Sequence, residues 1–251
     1  MEAREATGVS HTAEWIKVLA LEVIDRLGHE CFCGATSDST GNTHLCKKLL
    51  VEDVKTIIPN PDICHYLSNL IKDVARIAFF ELVRLQAIGK THFGTLVYSS
   101  RSVQRCTPAI QKVIERGKAD FLLQKLAEYF GAPNKSNSIH SIKALSFQSN
   151  LSQLVSIGLP PTKSLACLES NNANAGDVCL FWHATVREMI NVIMNDENQF
   201  PDDVRDEILD IIHHRHNNLF VEGGTYYTPL YMAAAYLNPG AFSADITLFK
   251  T

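Results

Sequence analysis

Asp38 is the residue whose setting speaks most directly of chemistry. It follows a short β-leaning run, residues 30–36, Glu-Cys-Phe-Cys-Gly-Ala-Thr, and sits in a polar segment, residues 37–43, Ser-Asp-Ser-Thr-Gly-Asn-Thr. A carboxylate at a strand end, held rigidly near a crevice, is where divalent-metal chemistry is built in α/β layers. Magnesium takes carboxylate oxygens and keeps several of its waters. Two-metal phosphoryl transfer needs several such carboxylates to converge, so Asp38 alone does not make that site. The plainer alternative is a loop aspartate that caps the following helix, with Gly41 and Asn42 supplying the turn.

Other residues offer less. Cys31-x-Cys33 followed by His44-x-Cys46 supplies four zinc-ligand types. Zinc sites space paired ligands by two to four residues, however, and here the gap is one. On a strand Cys31 and Cys33 share a face, where cysteine behaves as a small hydrophobe. In His213-His214-Arg215-His216 the first and last histidines lie one helical turn apart. Cations at a helix end complement its dipole, which explains that run without a metal. No G-x-S-x-G, H-E-x-x-H, Walker loop or G-x-G-x-x-G occurs. Tyr226, Tyr227, Tyr231 and Tyr236, with Trp15 and Trp182, read as core aromatics, Tyr227, Leu230 and Tyr231 sharing one helical face.

Charge is uneven. Residues 84–125 carry Arg84, Lys90, Arg101, Arg105, Lys112, Arg116, Lys118 and Lys125 against Glu115 and Asp120, a net +6. Residues 187–210 carry Arg187 and Arg205 against eight acids, a net −6. A basic helical stretch can follow a phosphate backbone, and the alternative is an ordinary solvated helix face.

The elements that must position these residues are mostly helical. Thr12 is placed to cap a helix with Glu14 in its first turn, and Ile16, Leu19, Val23, Ile24 and Leu27 recur at helical spacing up to Gly28. Residues 30–36 predict a strand, residues 37–43 a loop, and Leu45, Leu49, Leu50, Val54 and Ile57 a helix that Pro59 and Pro61 break. Ile57-Ile58 is a candidate second strand. Asp62 to Ile88 predicts one long helix with Gly89 as its cap. Thr91 to Tyr98 fits a strand or a helix equally. Helices follow at 101–116, 119–130, 140–156, 176–194, 203–217 and 226–237, with breaks at 131–138, Pro160-Pro161 and Asn171-Asn172. The predicted class is mixed α/β and predominantly α: an α/β layer over 1–88, then an all-helical body over 89–251.

Composition bounds the function classes. The chain has 251 residues, 46% hydrophobic and 20% charged, too apolar for a disordered protein. No apolar run reaches the ~20 residues of a membrane span, so no membrane partner is expected. The start, Met1-Glu2-Ala3-Arg4-Glu5, carries no export-like apolar segment, and seven cysteines are then expected as reduced intracellular thiols. A net charge of −4 argues against a generally basic nucleic-acid coat protein.

Several segments together resemble hAT-superfamily transposases, and more closely the transposase-like proteins of unknown function in that group. They are His11-Thr12-Ala13-Glu14-Trp15-Ile16, Thr36-Ser37-Asp38 with Ser39-Thr40-Gly41-Asn42-Thr43, and His65-Tyr66-Leu67-Ser68-Asn69-Leu70-Ile71-Lys72-Asp73, which is similar to the family's C-x-x-H-x-L-x-L-x-x-K-D stretch. Ala166-Cys167-Leu168-Glu169, Ala175 through Trp182 and Ala235-Tyr236-Leu237-Asn238-Pro239 follow in family order. Asp62 stands where the family has cysteine, His92 where it has arginine, and Asn238-Pro239-Gly240 lacks its aspartate and arginine.

The resemblance implies a ribonuclease-H-like core, here partial, followed by a large all-α insertion. It places Asp38 at the second acid of an Asp-Asp-Glu triad that binds two magnesium or manganese ions. It also marks His65 as a family-motif residue. It implies that the first and third acids are not in this chain, so that no cofactor is held and strand transfer is lost. Magnesium or manganese would enter only with a completed site. The expectation is a truncated, transposase-derived, inactive nuclear protein with residual DNA binding through residues 84–125. The alternative is a helical interaction module that pairs with a complete transposase, another nuclear partner or a second copy.

Overall fold

The structure is a computed structural model, and it describes residues 10–37, 40–83, 94–116, 129–130, 142–170 and 172–238. The Gly89 cap, most of the 119–130 helix and the 131–138 break lie outside the described residues.

Thr12 opens helix α1 (Ala13–Leu27) as the sequence predicts, its Oγ1 accepting from the Trp15 amide at 3.2 Å. Gly28 closes it at φ 98, a conformation open to a residue without Cβ. Strand β1 (Gly34–Ser37) follows, then helix α2 (Gly41–Asp53) and strand β2 (Ile58–Pro61). β1 and β2 pair in parallel, Gly34 opposite Ile58 and Ser37 opposite Pro61. α2 is therefore the crossover of a β-α-β unit. It starts inside the segment that reads as loop and ends before the two prolines. Pro59 and Pro61 lie within β2, which pairs on one side with β1 among the described residues, so their missing N–H groups are tolerated there.

Helix α3 (Ile63–Arg76) is capped by Asp62, whose Oδ1 accepts from the amides of Cys64 and His65 at 2.9 and 3.1 Å. The single helix expected over 62–88 does not form. Ile77 turns extended, and a 3₁₀ segment, Ala78–Val83, follows. Two distant contacts explain the break. Phe80 is driven fully into the core, and Asn150 donates to the Phe79 carbonyl at 2.9 Å.

The remaining helices are α4 (Thr95–Glu115), α5 (Ile142–Leu168), α6 (Ala175–Met194), α7 (Asp202–Phe220) and α8 (Pro229–Leu237). Thr91 to Tyr98 resolves toward helix from Thr95 onward. α5 is the central element, packed on α3, α4 and α6 and ~40 Å long at 1.5 Å per residue. It runs unbroken through Pro160-Pro161, against the local expectation. A mid-helix proline typically costs about 3 kcal/mol. Burial of Ile157, Pro161 and Leu165 offsets that here.

One hydrophobic core, from Tyr66 to Tyr231, joins helices α3 to α8. A small second cluster, Ile24, Leu50, Val54 and Ile57, sits between α1, α2 and the strands. α3, before residue 88, thus shares its core with the helices beyond residue 89. The strands are fixed to the helical body by α8, where Tyr231 Oη donates to the Pro61 carbonyl at 2.8 Å. No described helix is long and apolar enough to cross a membrane.

Candidate nucleic-acid interface and the cleft at the strand ends

Asp38 lies outside the described residues, immediately after Ser37 at the carboxyl end of β1. The N-cap position of α2 belongs to Thr40, two residues after Asp38, and the Thr40 side chain makes no capping hydrogen bond to the helix. Asn42, read as a turn residue, is in the first turn of α2, and its amide donates to the His11 carbonyl at 2.9 Å. This bond ties the start of α2 to the start of α1.

Lys47 closes the other side of the strand ends. Its side chain is 8% exposed, and Nζ donates to the Asn60 carbonyl at 2.8 Å and the Ser37 carbonyl at 3.4 Å. One ammonium thus bridges the carboxyl ends of both strands. A cleft of about 170 Å³ opens beside it, lined in part by His44, Lys47, Lys48, Asn60, Tyr226 and Tyr227. This described lining is cationic and does not suit a divalent cation. Among the described residues no group of three or more His, Cys, Asp and Glu is placed to hold a metal. No chemical step through a metal follows from the described residues.

The zinc-type residues are dispersed in character. Cys31 and Cys33 are exposed and Cys46 is buried, where desolvation pushes its thiol up. His65 is half-buried in the first turn of α3, its amide held by Asp62.

The histidine run is inside α7 rather than at its end. His216 is half-buried against the core, and Trp182 Nε1 donates to its Nδ1 at 3.2 Å. His183 stands 5.9 Å from His216, and both pack on Phe220. Burial, then the neighbouring imidazole of His216, lowers the His183 pKa, and burial, then His213, lowers that of His216. Arg215, the residue before His216, crosses to α3. Its Nε donates to Asp73 Oδ2 at 2.9 Å, a second guanidinium nitrogen donates to the same oxygen, and the group lies 5.0 Å from the Tyr66 ring centre. Tyr227, expected on the α8 face with Tyr231, precedes that helix and is exposed, whereas Tyr231 is buried.

Of the basic residues, Arg84, Lys90, Lys118 and Lys125 lie outside the described residues. Arg101, Arg105, Lys112 and Arg116 lie along α4, Arg116 being its C-cap, and all four are exposed. At 100° per residue they fall within an arc of about 60°. The opposite face of α4 carries Thr107 and Ile114, buried against the core. Val97 packs on Gly158, Gly94 on Thr162, and Gln104 Nε2 donates to Ser152 Oγ at 3.3 Å, which seats α4 antiparallel to α5. Among the described residues none of the four cations makes an ion pair.

Lys47, the Arg215–Asp73 pair and the His183–His216 pair escape a reading by motif. Lys47 has a faint signal in sequence, a lysine on the inward face of α2 beside Cys46 and Leu50. Comparison with protein-family models, with curated proteins and with solved structures gives no match.

Proposed function

We propose that this chain is a transposase-derived protein of the hAT type that binds DNA and does not cut or join it on its own. In this reading residues 1–88 correspond to part of a ribonuclease-H-like layer and residues 89–251 to the family's helical insertion. The observation that carries it is a parallel β-α-β unit followed by an all-helical body, with Asp38 next in sequence after the carboxyl end of β1. The exposed cations of α4 support the DNA-binding part. The resemblance supplies one acid of three, Asp38, and in-line displacement through two metals needs several ligands, which supports the absence of cutting. Nuclear location belongs to the same reading.

Purified protein incubated with manganese and supercoiled plasmid tests it. The expected result is plasmid left supercoiled. Nicking that disappears in Asp38→Ala would overturn the non-cutting reading.

A second reading is a helical module that docks on a complete transposase or on a second copy. α8 favours it, since Leu237 is 76% exposed and Met232 is 42% exposed. Light scattering after size exclusion decides: a stable monomer removes self-association, and failure to co-elute with a complete transposase removes the other form.

A further inference from the structure

The arrangement of the α4 cations says more than their number. Arg101 and Arg105 are one turn apart, Lys112 and Arg116 are one turn apart, and seven positions separate the pairs. At 1.5 Å per residue the stripe is ~22 Å long and the centres of the two pairs are ~16 Å apart. Each pair spans only ~6 Å along the helix axis, within reach of one strand's backbone for side chains as long as arginine and lysine. Two such pairs suit the strands on either side of a groove. The major groove of B-DNA is about 12 Å wide, and its phosphate centres lie a few ångströms further out on each side. Between the pairs the exposed positions on the stripe's own face are Pro108 and Ala109, which offer no side-chain donor or acceptor for base edges, and the exposed Cys106 lies off that face.

We propose that α4 lies across a groove of duplex DNA, each Arg/Lys pair on one phosphate backbone, and binds without reading sequence. The proposal rests on the DNA-binding reading above and deepens it. The occupant is a duplex rather than a single strand, because single-strand grooves add a row of aromatic platforms to their cations. Along this stripe only Tyr98 is aromatic, and its ring rests near Gly94. The exposed remainder of α4 mixes Ser102 and Gln104 with Cys106 and Val113, the opposite face is buried, and the stripe holds all of the helix's cations, so it is the part of α4 that fits a phosphate backbone. An acidic protein surface is the competing occupant, and the experiment separates it.

The test is fluorescence anisotropy with a labelled mixed-sequence duplex and the intact chain. The quadruple variant Arg101→Gln, Arg105→Gln, Lys112→Gln, Arg116→Gln changes exposed side chains and should keep the wild-type helical signal. A control variant, Lys55→Gln, Lys72→Gln, Lys163→Gln, Arg187→Gln, removes the same charge from exposed positions elsewhere. The salt slope contributed by four phosphate contacts is about −3.6, and the quadruple variant should lose most of it while the control keeps it. Affinity should be equal for duplexes of unrelated sequence and weaker for the matching single strand. Equal losses in both variants, tighter single-strand binding, or displacement of duplex by a polyglutamate of equal charge but not by competitor DNA would overturn the stripe. Duplex binding by wild type that the quadruple variant retains overturns the stripe and leaves the DNA-binding reading standing. No duplex binding by wild type at any salt overturns both.

Discussion

The seating of α4 on α5 fixes where its cations point, and one glycine decides that seating. A Cβ added at Gly158 would stand 2.6 Å from Cγ2 of Val97, which is itself fully buried. Valine is stiff at χ1, so the contact is relieved only by moving a helix. Gly158→Ala gains about 1 kcal/mol of helix propensity. Overpacking at this spot costs roughly 1–3 kcal/mol, so the net is a loss of about 1 kcal/mol. Val97→Ala alone loses about 2 kcal/mol through the vacated volume. In the Val97→Ala background the same Gly158→Ala change finds space, and its effect reverses to a gain of about 1 kcal/mol. The coupling between the two sites is then about 2 kcal/mol, against the ~0.5 kcal/mol scatter of independent sites. Urea unfolding of the four proteins, followed by circular dichroism, measures it. Gly158→Ala that stabilises the wild-type background, or a coupling within that scatter, would refute the packing argument.

Three further outcomes follow from the helical body. Arg215→Met should destabilise by about 2 kcal/mol, because it leaves the half-buried Asp73 with only the longer 3.5 Å contact to Arg76, and Asp73→Asn in the same chain should recover part of that loss in thermal melts. Asn174 caps α6 in a reciprocal box with Asp177, so Asn174→Ala should lower stability by about 1 kcal/mol and Asn174→Ser by much less, read from urea midpoints. His183 and His216 have lowered pKa values in the fold, so the unfolded chain binds more protons as pH drops below the unfolded imidazole value of about 6.5. Stability from this pair is present above that pH and is lost as pH falls toward the folded values. Melting temperatures should drop on acidification, and the double variant His183→Gln, His216→Gln should flatten that dependence.

The sequence reveals what is decided locally. Thr12 and Gly28 bound α1 because a hydroxyl cap and a positive-φ glycine act within one turn. The Ile57-Ile58 signal for β2 also depends on near neighbours. The features set by distant partners are not visible that way. The break at Ile77 follows from Phe80 and from Asn150, a residue on α5. Pro160-Pro161 obeys the opposite logic, a local breaker overruled by the packing on both sides of α5. The basic stretch is legible as a charge count, yet its one-sidedness depends on where α4 begins and ends. Arg215 and Asp73, which join α7 to α3, are 142 positions apart and leave no mark on either segment. The same holds for Lys47, whose burial depends on β1 and β2 meeting beneath it.

The central claim is that this chain holds duplex DNA by its phosphates. The salt dependence of wild-type binding to a mixed-sequence duplex tests it most directly. The expected plot of log affinity against log salt is linear with a slope near −3.6, an affinity loss of about 150-fold between roughly 50 and 200 mM salt. A flat line, or no binding at the lowest salt, would contradict it.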